Sequence, residues 1–235
     1  MTPVCLSSDY IIDYRNKCNE LIISKSLDDE KRLWQLFDAN WKYQMMSSPE
    51  SATWRGYPGQ NHRWSDLSLK ALEKGKEVDR LTLKTILSIK RSKLSVDNQL
   101  NYDLFRRNAE MSVEKQQFPG EYLVINQMEG LPRDVPSMIE MMPRSNLNDY
   151  KTILSRLSGV SGLVDQTIVL LQEGLARGIV PHKIPLRTLA DQVLGQIHED
   201  AFASPMLTHF KSFPETVSSN DQARLKKTAE NVYLS

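Results

Sequence analysis

Apolar residues along this chain recur mostly three or four positions apart, the spacing of helices that each bury one face. Trp34, Phe37, Trp41 and Met45 make the first and heaviest stripe. It follows Ser26-Leu27-Asp28-Asp29, a capping box in which a Ser hydroxyl and an acid three positions on satisfy free backbone donors. Ser47-Ser48-Pro49 ends that helix, because proline cannot continue the ladder. A second capping pattern at Ser65 leads into Val78, Leu81, Ile86 and Ile89, and Ser95 opens a third helix with Val96, Leu100, Leu104 and Met111 on one side. Each of these stripes is expected to be core. The pattern changes at Phe118-Pro119-Gly120. Tyr122-Leu123-Val124-Ile125 favours a strand, and Gly130, Pro132, Pro136 and Pro143 mark a connector with one short helix from Ser137 to Met141.

Helical spacing then resumes. Leu147, Tyr150, Leu154 and Leu157 predict one helix, and Leu163, Thr167, Leu171 and Leu175 another, closed by Gly178 at its C′ position. Pro185 suits the first turn of a helix carrying Leu186, Leu189, Val193 and Ile197. Ser219-Asn220-Asp221 starts a last one with Leu225, Ala229 and Val232 on its apolar face. The expected fold is mainly α, a multi-helix array with a short β-like segment around 121–126. It forms a single helical domain or part of one, with helical subregions at 1–117 and 147–235 and a connector at 118–146.

Composition narrows the function classes. The 235 residues are 40% hydrophobic and include four Trp, eight Tyr and six Phe, too much buriable surface for a disordered chain. A net charge of +1 argues against whole-surface attraction to nucleic acid or anionic lipid. The basic cluster Lys84, Lys90, Arg91, Lys93, Arg106 and Arg107 therefore reads as a solvated face rather than a phosphate-binding patch. Cys5 and Cys18 are the only cysteines, which excludes a disulfide framework; one bridge between them or two free thiols are the alternatives. The longest strongly apolar run, Ile168 to Leu171, is too short to span a bilayer. The start at Met1 lacks a signal-peptide pattern, so the sequence as it stands reads as cytoplasmic.

Candidate chemistry is sparse. A helical His-Glu zinc motif needs a second His one turn on, but His198-Glu199 is followed by Phe202. His62, His182 and His209 offer no ligand spacing, no Gly-x-Ser-x-Gly elbow is present, and Gly159-Val160-Ser161-Gly162 lacks the Lys of a phosphate loop. No catalytic residue and no metal ligand is assigned.

Several short segments follow one another in a specific order. They are Phe37 with Trp41, Ser48-Pro49-Glu50-Ser51-Ala52-Thr53-Trp54-Arg55-Gly56, Trp64-Ser65-Asp66-Leu67-Ser68 and Leu94-Ser95-Val96-Asp97-Asn98-Gln99-Leu100-Asn101-Tyr102. Asn126-Gln127-Met128-Glu129-Gly130-Leu131-Pro132, Asp149-Tyr150, Arg156-Leu157 and Gly174-Leu175-Ala176-Arg177-Gly178-Ile179-Val180-Pro181 continue the series. From about Trp34 to Val193 the chain resembles the N-terminal part of the bacterial family catalogued as domain of unknown function 885.

The resemblance implies a zincin-like helical fold similar to the cleft-forming metallopeptidases, in members usually longer than this chain and often exported. Their zinc motif, a His-Glu pair followed by Pro-Gly-His, lies downstream of the matched part. Phe118-Pro119-Gly120-Glu121 is no substitute, having no histidine. Zinc is thus expected in full-length relatives and no cofactor in this chain. The implied function is the N-terminal part of a zinc peptidase-like hydrolase acting on peptides, inactive alone, with a peptide substrate and a missing C-terminal catalytic half as partners. The alternative is a non-enzymatic helical domain that binds peptides or proteins. For either, the candidate substrate contacts are Asn126, Gln127 and Gly130: two amides that can pair with a peptide backbone, and a glycine that permits close approach. The competing reading of that loop is a structural turn. A fragment would also expose apolar surface on its C-terminal helices, where the missing half would pack.

Overall fold

The computed structural model describes residues 9–24 and 27–234. Ten α-helices follow in order among them: α1 (Asp9–Ile23), α2 (Asp29–Ser47), α3 (Pro49–Trp54), α4 (Leu69–Leu87), α5 (Val96–Glu114), α6 (Leu131–Met141), α7 (Leu147–Ser158), α8 (Val160–Ala176), α9 (Leu189–Leu194) and α10 (Ser219–Leu234). Short 3-10 turns link them, and no strand occurs among the described residues. The fold is mainly α, and it divides into two compact units. One comprises the chain up to Ser47 together with Leu69–Pro119; the other comprises Ser48–Ser68 and Gly120 onward.

In the first unit, α1, α2, α4 and α5 pack around Cys18, Leu21, Leu33, Leu36, Val78 and Ile86. Cys5 and Ser26, the expected capping residue, lie outside the described residues; Asp28 accepts from Lys31 N at 2.8 Å at the start of α2. On α2 the expected stripe is only partly core. Met45 is buried, but Trp34 and Trp41 are exposed, and the inward face carries Arg32, Leu33, Leu36 and Asn40. Tertiary partners decide this choice. Arg32 Nε donates to Leu21 O (2.9 Å), Nη1 to Asp29 Oδ1 (2.6 Å) and Nη2 to Ser88 Oγ (2.7 Å), so a charged side chain becomes the tie between α1, α2 and the end of α4. Periodicity alone cannot foresee those acceptors.

The α4 stripe holds at Val78 and Ile86, although the helix begins at Leu69 rather than Ser65. On α5 the expectation is reversed: Val96, Leu100, Leu104 and Met111 are exposed, while Tyr102 and Ala109 are buried. Tyr102 and Ala109 belong instead to the core cluster of this unit, in which α5 packs against α4. The three arginines of the basic cluster nearby are paired. Arg91 meets Asp103 at 2.7 Å, Arg106 meets Glu110 at 2.7 Å and Arg107 meets Glu114 at 3.1 Å.

In the second unit, α6, α7 and α10 enclose Ile139, Tyr150, Ile153, Leu157, Phe210 and Ala229. Tyr150, Phe210 and Phe213 form an aromatic group with ring centroids 4.8–6.3 Å apart. The α7 and α10 stripes are buried as expected. Helix α8 buries Leu163, Thr167, Leu170 and Gly174, and it ends as a Schellman motif. Ile179 N donates to Gly174 O (2.8 Å), Gly178 N donates to Leu175 O (3.1 Å), and Gly178 takes φ +70°.

Three expectations are corrected here. Segment 121–126 is not a strand but the end of a 3-10 turn followed by irregular backbone. Tyr122 is buried there against Gly174, whose missing side chain leaves the room: a Cβ on Gly174 would lie 2.9 Å from Tyr122 Cβ. The connector helix α6 runs from Leu131, earlier than Ser137, because Gly130 and Pro132 start it rather than interrupt it. The Pro185 helix is broken: Ile184–Leu186 is a 3-10 turn, α9 has six residues, and Val193 and Ile197 are exposed.

Candidate functional site

The loop from Asn126 to Gly130 is closed mainly by its own backbone. Asn126 N donates to Glu129 O (2.9 Å), and Asn126 Oδ1 accepts from Met128 N (2.8 Å) and Glu129 N (3.1 Å). The amide oxygen of Asn126 is therefore engaged by the turn. Gly130 has φ +126°, and its N donates to Asp134 Oδ2 at 3.0 Å. A Cβ there would lie 2.6 Å from Ile125 Cγ1, so this glycine is required by the loop itself.

Gln127 is held differently. Its N donates to Pro185 O (2.9 Å) and its O accepts from Gln192 Nε2 (3.1 Å), which ties the loop to the segment before α9 and to α9. Its side chain is exposed, and no hydrogen bond fixes the amide among the described residues. Around it, Met128 is 63% exposed, Ile184 65% and Leu194 63%. An amide with no bond among the described residues, on an anchored backbone, thus belongs to segments that also carry unburied apolar side chains. Helix α8 adds Ile168, Val169 and Leu175 to the exposed apolar surface of this unit.

The backbone of this unit is gathered by Arg156, which is wholly buried. Its Nε and Nη2 donate to Arg63 O (3.1 and 2.9 Å), Nη1 to Thr53 Oγ1 (2.8 Å), and Nη2 also to Gln60 O (3.2 Å) and Pro49 O (3.3 Å). Its Cζ stands 5.1 Å from the Trp64 ring centroid, and Trp64 Nε1 donates back to Arg156 O at 2.7 Å. Burial pushes its pKa down to about 10, which still leaves the charge in place at neutral pH. Glu50 belongs to the same construction, accepting from Ser65 N (2.9 Å) and Ser65 Oγ (2.5 Å). The motif residues from Pro49 to Ser65 are thus framework, wound around one guanidinium.

Histidines form no metal cluster. His209 Nε2 lies 2.8 Å from Glu140 Oε2 and 3.2 Å from Arg144 Nη1, and burial followed by the Arg144 charge lowers its pKa. Among the described residues no three His, Cys, Asp or Glu side chains converge to hold a metal ion. The described residues thus do not fit the zinc that the resemblance implies for longer relatives. No described helix is long and apolar enough to cross a membrane.

A separate cavity of about 470 Å³ lies in the first unit, where α2, α4 and α5 face one another. Sequence reading missed it, because its walls come from three distant stretches. Three of its lining residues, Asn40, Gln44 and Thr82, belong to a chain of hydrogen bonds that runs through Tyr14 behind them: Asn40 Nδ2 donates to Tyr14 OH (3.0 Å), Tyr14 OH meets Thr82 Oγ1 (2.8 Å), and Gln44 Nε2 donates to Asn40 Oδ1 (2.9 Å). Asp79 stands in the wall and accepts from Gln116 Nε2 at 3.4 Å. Burial raises its pKa above the ordinary 3.8, and Gln116 and the charge of Arg80 only partly offset this.

A pH dependence follows. The folded chain holds more protons than the unfolded one between 3.8 and the raised value, so stability contributed by this group falls as pH rises through that window. Denaturant midpoints of Asp79→Asn relative to the parent should therefore move in the variant's favour between about pH 3.5 and pH 7. A pH-independent difference would contradict the burial of this carboxyl.

Residues 49–234 match a family model described as "Bacterial protein of unknown function (DUF885)". A search of curated proteins finds no match. The match begins after the Phe37–Trp41 pair and runs on through α10, taking in the Arg156 framework, the Gln127 loop, α4 and α5. With more than three quarters of its residues inside that match, the chain belongs to the bacterial DUF885 family.

Proposed function

We propose that these 235 residues are the peptide-positioning part of a peptidase-like hydrolase, with zinc ligands supplied by residues outside them. The observation that carries this reading is the Gln127 amide, free at its side chain and anchored at both backbone atoms beside exposed Met128, Ile184 and Leu194. An extended peptide presents a donor and an acceptor at each residue, which an amide can pair, and side chains that apolar surface can cover. The exposed apolar face of α8 supports the same reading, being surface of the kind a further part of the protein covers.

Calorimetric titration of the chain with unstructured peptides tests it. Saturable binding is expected, weakened about fivefold by Gln127→Ala, the loss of one hydrogen bond worth about 1 kcal/mol. Because the side chain is exposed, the same substitution should change stability by less than about 0.5 kcal/mol. Absence of binding at millimolar peptide would sink the proposal. Binding that persists in the longest natural form of the chain without peptide hydrolysis would favour a non-enzymatic binding domain instead.

A further inference from the structure

We infer that the cavity among α2, α4 and α5 binds a small molecule carrying a primary ammonium group on an alkyl chain. This is independent of the peptide-positioning proposal, which concerns the second unit. The lining combines two carboxylates, Asp38 and Asp79, with the rings of Phe37, Trp41, Tyr43 and Phe105, and it contains no basic residue. Aromatic faces and carboxylates attract the same ligand charge, the former through the ring quadrupole and the latter directly. An anionic ligand would meet two like charges.

The hydrogen-bonded lining sharpens the choice. Asn40, Thr82 and Gln44 are already bonded to one another or to Tyr14 behind them, so they offer little to a neutral polar ligand. Asp79 is different. Its hydrogen-bond donor Gln116 is a neutral amide, and the charge of Arg80, which does not line the cavity, only partly offsets the burial of its carboxyl. An ammonium group brings into the cavity the positive charge that its lining lacks, with three N–H donors. The rings then cover the alkyl chain: Phe37 and Phe105 stand 4.8 Å apart between centroids and form a continuous apolar wall beside the carboxylates. At about 470 Å³ the cavity is within the range of small-molecule sites.

The test is titration of the full chain at neutral pH and low salt with pentylammonium, pentanol and pentanoate, followed by calorimetry and tryptophan fluorescence. Pentylammonium is expected to bind saturably and to perturb Trp41 emission. Pentanol and pentanoate should bind at least tenfold more weakly, and Asp79→Asn should weaken pentylammonium at least tenfold. In the unsubstituted chain, the Asp79 carboxyl followed by carbon-detected NMR should titrate at lower pH when pentylammonium is present. That measurement decides the question even if the variant folds poorly. Equal binding of the three probes, undiminished binding by a folded Asp79→Asn chain, an unmoved Asp79 titration, or no binding at tens of millimolar would each overturn the inference.

Discussion

Replacing Arg156 by Met should lower the unfolding free energy by about 4 kcal/mol, because several buried acceptors lose one charged donor at once. The side chain is wholly buried and reaches Arg63 O, Gln60 O, Pro49 O and Thr53 Oγ1. Methionine fills much of the volume but donates nothing, so these acceptors lose their partner inside the protein, at about 1–3 kcal/mol for each one left unsatisfied. Thr53 softens the loss, since its hydroxyl also reaches Pro49 O (2.9 Å) and Asn61 Oδ1 (2.7 Å). The expected drop in melting temperature is roughly 8–16 °C, read by circular dichroism. Arg156→Lys should fall between the two, keeping a charge but losing the planar fork that spans several acceptors. If Arg156→Met melts with the parent, the guanidinium is not what holds the Pro49–Ser65 segment.

Gly130→Ala should cost about 3 kcal/mol, combining backbone strain with overpacking. At φ +126° the residue occupies a region that L side chains rarely adopt, and its new methyl would press on Ile125 Cγ1 at 2.6 Å. Relief requires the start of α6 to move, yet Asp134 Oδ2 and the Gly130 carbonyl both bind that turn: Gly130 N donates to the former, and Arg133 N and Asp134 N donate to the latter. The loop must yield instead. Peptide affinity should therefore fall together with stability, whereas Gln127→Ala lowers affinity alone. Equal stability of Gly130→Ala and parent in a denaturant titration would show that the loop tolerates a side chain there.

Helix positions were legible wherever one apolar face was unambiguous. Tyr150, Leu154 and Leu157 on α7, and Leu225 and Ala229 on α10, are buried as their spacing predicts. Gly178 was legible because a left-handed C′ residue has few alternatives. What spacing could not resolve was which face turns inward on a helix with apolar residues on more than one side. On α5, Tyr102 and Ala109 turn inward in place of Val96, Leu100, Leu104 and Met111, and on α2 the inward face includes Arg32 and Asn40. Those polar residues are core only because acceptors arrive from far along the chain, as Ser88 does for Arg32.

The candidate loop was legible in outline, as a Gly-closed turn rich in amides, but not the distinction between its two amides. Asn126 is engaged within the turn, while Gln127 is tied through its main chain to Pro185 and Gln192. The Asp79 cavity left no local signature, since Phe37, Asp79 and Phe105 belong to three separate helices.

The interleaving of the two units also has a consequence for timing during synthesis. Thr53 waits for Arg156, 103 positions later, before its buried partner exists. At about 5–20 residues per second a ribosome takes roughly 5–20 s to cover that distance. Once Pro119 has been made, the first unit has every residue it needs, while α7 is still to come. The stretch from Ser48 to Ser68 is then an unfinished loop between α2 and α4 of the nascent chain. Chaperones and proteases acting on nascent chains would meet that loop first, and completion of α7 is what closes the window.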